Sequence, residues 1–341
     1  MKVFLGMSGG VDSAVSAYLL QQQGHEVIGV YMKNWSKNLP GMKCPWAEDL
    51  ADAKRVAVKL GIDFRVFDFE SEYKQKVVDY MLAEYQKGNT PNPDIMCNQE
   101  IKFKLFAETA FEQGAEAIAT GHYARCEGRQ LLKARDENKD QTYFLYRITE
   151  DVIERTIFPV GDMLKPEVKA LAEKIGLAVA HKPESMGVCF VGEANMRDFL
   201  GEFIETKPGE IRELETDKVV GTHDGAIYYT LGQRHGLNLK DGLPYYVVRK
   251  DIPANIVYVS RNLNSLSLWK KEITLKDVVL RGGDDGRNIE ARIRHRAPLV
   301  MADYDQATSK LTFAEEQKSL TPGQSVVFYR GEVCIGGGII A

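Results

Sequence analysis

The sequence predicts an α/β N-terminal domain built on a doubly wound parallel sheet, followed by a small β-rich central domain and a C-terminal β-barrel. Three observations carry this. Through about residue 200, short apolar runs alternate with helical patterns of 10–15 residues, the signature of βαβ units and a sheet covered on both faces. Beyond it, the helical period gives way to turn clusters (KPGE, HDGA, DGLP, GGDDG) and short β-branched or aromatic runs such as YYVVRK and NIVYVS. The last seventy or so residues hold evenly spaced short strands (ITLKDVVL, IEARIRHR, KLTFAE, SVVFYR, VCIGGGII), the pattern of a small barrel. The expected domains are 1–204, 205–268 and 269–341, with linkers around IETKPG and near 264–270.

Taken in order, KVFLGM (2–7) is a buried strand, and a helix follows from Asp12 to Gln23, closed by Gly24. HEVIGVYM (25–32) is the second strand, and a helix over about 46–60 stops at Gly61. IDFRVFDF (62–69) is the third strand, followed by a helix over about 70–86. The segment GNTPNPDIMCNQ reads as a loop, with a helix from about 99 to 113 and the strand AEAIATGH (115–122) beyond it. In such a sheet, ligands bind beyond the carboxyl ends of the strands. The segments after Gly6, after Met32 and at Gly121-His122 all belong to that edge.

The chain has 341 residues, more than one ordinary core accommodates. Hydrophobic content of 44% and charged content of 27% are those of a globular protein, and no apolar run approaches the ~18–20 residues of a membrane span. The short run after Lys2 is a poor secretory signal, so a cytoplasmic, membrane-free protein is expected. Cys44, Cys97, Cys126, Cys189 and Cys334 are odd in number and scattered, which argues against a disulfide framework or a zinc site. No metal site is expected from protein ligands. A net charge of −4 argues against indiscriminate coating of nucleic acid but leaves room for a local basic groove.

The chemistry begins at GMSGGVDS, comprising Gly6, Met7, Ser8, Gly9, Gly10, Val11, Asp12 and Ser13. Glycines let the backbone approach an anion, two serines add hydroxyl donors, and a helix start adds N–H groups and a positive dipole end. A serine or aspartate cap explains Asp12-Ser13, but not both glycines and both serines. Unlike a Walker loop, this one has no lysine for the β/γ-phosphates. It resembles the PP-loop of ATP pyrophosphatases, which cleave ATP between the α- and β-phosphates, transfer AMP to a carbonyl oxygen and release pyrophosphate. That resemblance implies ATP, and Mg²⁺ to neutralise the departing charge.

Further motifs narrow the family. TPNPDIMCNQEIKF (90–103) puts Asp94 and Cys97 on one face of a helical first turn, with Asn98 as a candidate cap. HKPESMGVCFVG (181–192) carries Cys189 in a glycine-flanked segment beyond a helix ending at Gly176. With ATGHYAR, KDQTYFLY and YTLGQRHGL, these motifs are similar, in order, to those of the tRNA-specific 2-thiouridylase family of the PP-loop superfamily. Cys44, Cys126 and Cys334 carry no such motif and are expected to be small buried hydrophobes.

The resemblance implies a sulfurtransferase that converts the wobble uridine of tRNA (position 34) to 2-thiouridine. Cys97 would be the nucleophile and Cys189 the persulfide carrier, a Cys97–Cys189 disulfide closing each turnover. Asp94 would assist, although at reference pKa values its taking the thiol proton costs roughly 6 kcal/mol. Nucleotide contacts would fall on Gly6 to Ser13, Met32 and Gly121. Asn92, Pro93 and Asp94 would face the target base with His122 beside it, and Lys139, Asp140, Gln141, Arg294, His295 and Gln324 would meet tRNA. The implied partners are tRNA (Lys, Glu and Gln acceptors) and a cysteine desulfurase or sulfur-relay protein. Independently, Arg292, Arg294 and Arg296 at period two predict a row of guanidinium groups on one strand face. The alternative is another PP-loop adenylating enzyme, an amide ligase or a 2-thiocytidine type; neither a glutaminase domain nor the clustered cysteines of an iron–sulfur centre appears in the sequence.

Overall fold

A computed structural model describes residues 1–38, 44–183, 196–239, 244–262 and 268–341. Cys189 lies outside the described residues. The chain divides into two compact units, one of residues 1–78, 93–195 and 329–335, the other of 79–92, 196–328 and 336–341.

The first unit is built on a five-stranded parallel sheet. Its strands are β1 (Lys2–Gly6), β2 (Glu26–Lys33), β3 (Asp63–Asp68), β4 (Ala117–Thr120) and β7 (Thr156–Ile157), in the spatial order β3-β2-β1-β4-β7. Val3, Phe4 and Leu5 are fully buried, as both faces of a covered parallel sheet require. Helix α1 (Val11–Gln22) packs Ala14, Val15, Ala17 and Leu20 into the core, the alanines allowing close approach. Helix α2 (Trp46–Leu60) ends at Gly61 in the left-handed conformation (φ 65°). The order of strands reverses between β1 and β4. That switch point is where a doubly wound sheet opens a crevice for ligands.

Between β4 and β7 lies a hairpin of β5 (Arg125–Glu127) and β6 (Gln130–Leu132). Leu132 and Leu131 pair in turn with Val333 and Cys334 from the far end of the chain.

Two expectations are corrected here. The helix expected at about 99 begins at Pro93 and runs to Glu112, so most of the segment read as a loop is helical. Proline favours the first helical position, where its missing N–H is no loss. Asn98 consequently caps nothing. It is buried inside that helix, its Nδ2 donating to the Phe144 carbonyl (3.1 Å) at the start of an eight-residue stretch of π-helical hydrogen bonding, Asn98–Leu105.

The second unit contains a four-stranded sheet, β8 (Gly209–Glu213), β9 (Val219–His223), β10 (Tyr246–Asp251) and β11 (Ile256–Ser260), ordered β10-β11-β8-β9. The barrel strands are β12 (Trp269–Leu280), β13 (Ile289–Arg292), β14 (Val300–Asp305), β15 (Lys310–Lys318), β16 (Ser325–Arg330) and β17 (Val333–Ile340), all in the second unit except for Tyr329–Ile335, which is counted with the first. The barrel order is β12-β15-β14-β13-β16-β17, and β12 closes it by pairing with β17. The predicted arginine row does not form. Strand β13 stops at Arg292, residues 293–296 bend into a turn, and Arg296 adopts φ 64°.

Candidate nucleotide and sulfur-transfer site

At the carboxyl end of β1, the chain turns through Ser8–Gly10 into α1. Gly9 takes φ 77°, and a Cβ there would stand 2.4 Å from the Asp49 carbonyl oxygen. Only glycine fits. The Ser8 N–H donates to Ser13 Oγ (3.2 Å), the Gly10 N–H to Ser8 Oγ (3.4 Å), and Ser13 Oγ to the Gly10 carbonyl (3.1 Å). Helix α1 begins without a side-chain cap, its N-cap being Gly10. Its first-turn N–H groups, which have no intrahelical acceptor, therefore face the loop and suit an anion.

The other expected nucleotide positions converge on this loop. A Cβ on Gly6 would touch Met32 Cε at 2.9 Å, which sets Met32 beside the end of β1. A Cβ on Gly121 would stand 2.7 Å from Ser13 N and 2.8 Å from Asp12 C, so the end of β4 presses directly on the start of α1.

Asp12 is the one acid in the loop. A phosphate oxygen about 5 Å from an uncompensated carboxylate meets roughly 3 kcal/mol of repulsion at an effective dielectric of about 20. The fold compensates it. Lys165, the first residue of the helix Lys165–Lys174, places Nζ 2.6 and 2.8 Å from the two Asp12 carboxylate oxygens, and the Tyr123 hydroxyl donates to Oδ1 (2.9 Å). A second lysine, Lys182, braces the loop from another side. Its Nζ bonds Asp49 Oδ1 (2.7 Å), Asp52 Oδ2 (2.5 Å) and the Gly9 carbonyl (3.3 Å). Burial works against the Lys182 charge, but the bonds to both aspartates outweigh it and hold its pKa above the usual lysine value. Sequence reading missed Lys165, Lys182 and Tyr123, which meet the loop only through tertiary closure.

Asp94 and Cys97 occupy the first turn of the helix that starts at Pro93. Cys97 is fully buried and Asp94 partly exposed. His122, just past β4, has its Nδ1 2.8 Å from Thr120 Oγ1 and its ring 5.7 Å from Phe103, which belongs to the same helix as Cys97, and 6.3 Å from Phe158. Burial, with a smaller push from Lys102, lowers its pKa well below the usual histidine value. The imidazole is therefore neutral at pH 7. Cys44 is buried, its Sγ 3.4 Å from the Trp35 carbonyl, and burial raises its pKa. Cys334 is buried in the sheet, whereas Cys126 is only partly so.

Of the residues expected at tRNA, Asp140 is buried and accepts bonds from the Ala134 and Thr142 N–H groups and the Thr142 hydroxyl. Gln141 exchanges hydrogen bonds with the Tyr123 backbone, both 2.9 Å, and Lys139 is half-buried. In the second unit, Gln324 Nε2 donates to the Thr90 carbonyl (2.6 Å), two residues before Asn92. Arg294 donates to the Ser319 carbonyl (2.7 Å), and His295 is half-buried beside it. Thus Asp140, Gln141, Gln324 and Arg294 all have intramolecular partners in this structure.

Three family models match the chain in succession. Residues 1–193 match the family model of the tRNA methyl transferase HUP domain, 197–261 that of the tRNA methyl transferase PRC-barrel domain, and 270–340 that of the aminomethyltransferase beta-barrel domain. A tRNA-specific 2-thiouridylase MnmA of Tolumonas auensis is 48% identical over 356 residues, spanning 100% of this chain and 96% of its own. The chain belongs to the tRNA-specific 2-thiouridylase family. Its members in Listeria welshimeri (44% identical; 100% of this chain, 94% of that one) and Mannheimia succiniciproducens (46%; 99% and 91%) agree over the same span. Among solved structures, a 4-thiouridine synthetase–RNA complex with bound ATP is similar at a TM-score of 0.38 and 22% identity, covering 59% of this chain and 50% of that one. Thiouridylase membership extends through the barrel, so the resemblance seen in the motifs holds along the whole chain.

Proposed function

We propose that this chain is a tRNA-uridine 2-sulfurtransferase that uses ATP to convert the wobble uridine of tRNA to 2-thiouridine. The observation that carries the reading is the lysine-free glycine–serine loop at the sheet's switch point, in a chain related along its full length to 2-thiouridylases. The loop's N–H groups and the α1 dipole suit the charge that grows on departing pyrophosphate. The uracil 2-oxygen attacks the α-phosphorus, AMP becomes bonded to that oxygen, and pyrophosphate leaves. Met32 and Gly121, packed against the loop, would border the nucleotide.

Mg²⁺ would accompany the phosphates, and Asp12, the one acid of the loop, would be available to it. Bound with the phosphates, it would neutralise the charge that leaves with pyrophosphate.

Sulfur then enters at carbon 2. The terminal sulfur of a persulfide on Cys189 attacks and AMP departs, leaving carbon 2 joined to Cys189 through a disulfide that the Cys97 thiolate then cleaves at Cys189 Sγ to release 2-thiouridine; or the Cys97 thiolate first attacks Cys189 Sγ and displaces hydrosulfide, which attacks carbon 2 as AMP departs. Either route ends in a Cys97–Cys189 disulfide, which an external dithiol reduces. Asn92, Pro93 and Asp94 would face the base, and a neutral His122 can donate or accept a hydrogen bond there. Lys139, Asp140, Gln141, Arg294, His295 and Gln324 are proposed at the tRNA surface, with Lys, Glu and Gln acceptors, and a desulfurase or relay protein as donor. The cytoplasm is the proposed location; no described helix is long and apolar enough to cross a membrane.

The test is reconstitution with ATP, Mg²⁺, a persulfide source and unmodified tRNA, scored for 2-thiouridine, AMP and pyrophosphate. Wild type should form all three, and Cys97→Ser and Cys189→Ser should form no 2-thiouridine. A wild type without product, or an active Cys189→Ser, would refute the sulfur-transfer reading.

A further inference from the structure

We propose that Lys165 is the phosphate-binding lysine this loop lacks in sequence, delivered by a helix 153 residues downstream and transferred from Asp12 to the pyrophosphate moiety when nucleotide binds. The inference rests on the nucleotide reading of Ser8–Ser13.

Four observations support it. Lys165 reaches the loop, with Nζ 2.6 and 2.8 Å from both Asp12 oxygens. Its base is fixed, because the Lys165 N–H donates to Asp136 Oδ2 (2.9 Å) and the Glu167 carboxylate accepts from the Leu164 N–H (2.7 Å) at the helix start. Only the flexible stem is left to move. The Lys165 side chain is 8% exposed and Asp12 30%, so the partly exposed member of the pair is the carboxylate that an incoming anion would meet, with the ammonium directly behind it. Finally, Lys182 cannot take this part: it is shared between two aspartates and the Gly9 carbonyl, a strut whose charge is already answered.

The exchange is a change of partner with no bond made or broken. In this structure Lys165 cancels the Asp12 charge, while the Tyr123 hydroxyl, bonded to Oδ1, holds the carboxylate in place. As a polyphosphate arrives, the ammonium meets a group of higher charge a short swing away, and Asp12 retains its bond from Tyr123. The lysine then lies where charge develops as the α–β bond breaks.

The competing role is purely local: Lys165 does no more than neutralise Asp12. A double-mutant cycle separates the two. Binding of ATP and of inorganic pyrophosphate is measured by calorimetry without divalent cations for wild type, Lys165→Met, Asp12→Asn and the double variant, each checked for a cooperative melt. The proposal expects Lys165→Met to weaken pyrophosphate at least tenfold in both the native and the Asp12→Asn backgrounds, and Lys165→Arg to stay within about threefold of wild type. An effect that shrinks below twofold in the Asp12→Asn background overturns it. If Lys165→Met does not fold, Lys165→Gln set against Lys165→Arg supplies the same comparison. Wild type that binds neither ligand refutes the nucleotide loop itself, whereas tight binding by wild type and Lys165→Met alike refutes only the lysine.

Discussion

Burial makes His122 a neutral imidazole, and its consequence for stability has a definite sign. Its folded pKa lies well below the ordinary histidine value, whereas the unfolded imidazole titrates near 6.5. Between those values the unfolded chain binds a proton that the folded chain refuses, so stability is full above about pH 7 and falls as pH drops below ~6.5, by up to about 1.4 kcal/mol per pH unit. Urea midpoints of wild type and His122→Gln compared from pH 7.5 to 5 should diverge below about pH 6.5, the wild type losing more. Parallel curves would show that the ring titrates normally. At this scale, the sequence was legible where chemistry is local: Ser8, Gly9, Gly10 and Ser13 are neighbours whose types alone describe an anion nest. It was silent on Lys165, because a lysine opening one helix has no local mark of bonding an aspartate 153 residues earlier. It was equally silent on the local bonds of Asp140, whose buried carboxylate accepts hydrogen bonds from Ala134 and Thr142.

The junction of β1, β4 and α1 governs the site more than any single side chain does. The strand alternation foretold a parallel sheet and placed the loop at its carboxyl edge. The spatial order that puts β4 beside β1 is set by long-range pairing, Val3 with Ala117 and Gly6 with Thr120, which no window of sequence encodes. That pairing brings Gly121 onto the first turn of α1. A methyl group there has backbone, not a yielding side chain, within 3 Å. Gly121→Ala should therefore cost about 1–3 kcal/mol of stability by overpacking and, by shifting the first turn of α1, weaken ATP binding at least tenfold. Thermal melts and calorimetry check both, and unchanged values in each would mean that strand and helix slide apart freely. Two element boundaries escaped the sequence for different reasons. Pro93 resembles loop punctuation in sequence, yet proline sits well at a helix start. The alternation IEARIRHR has strand character throughout, yet the strand ends at Arg292 and the chain turns through 293–296, where Arg296 takes a left-handed conformation that its residue type does not announce.

Across the whole molecule, the final strand serves both units. Val333 and Cys334 pair with the β5–β6 hairpin of the first, while Gly336, Gly337, Ile339 and Ile340 pair with β12 and close the barrel of the second. The sequence showed VCIGGGII as a strand, but its division between two partners depends on the three-dimensional path. Ile335, Ile339 and Ile340 are buried, and three buried isoleucines amount to about 5–9 kcal/mol of transfer free energy, comparable with the ~5–15 kcal/mol net stability of a typical protein. Cutting the chain after Arg330 removes no residue of the nucleotide loop, of the Cys97 helix or of the Lys165–Asp12 pair. It leaves β6 and β12 with unpaired edges and the barrel open. The truncated chain should consequently lose its cooperative melt and bind ATP at least tenfold more weakly, as followed by calorimetry and near-ultraviolet circular dichroism. If residues 1–330 melt as the full chain does and bind ATP equally well, then the nucleotide unit stands without the last strand, and β17 matters to the barrel alone.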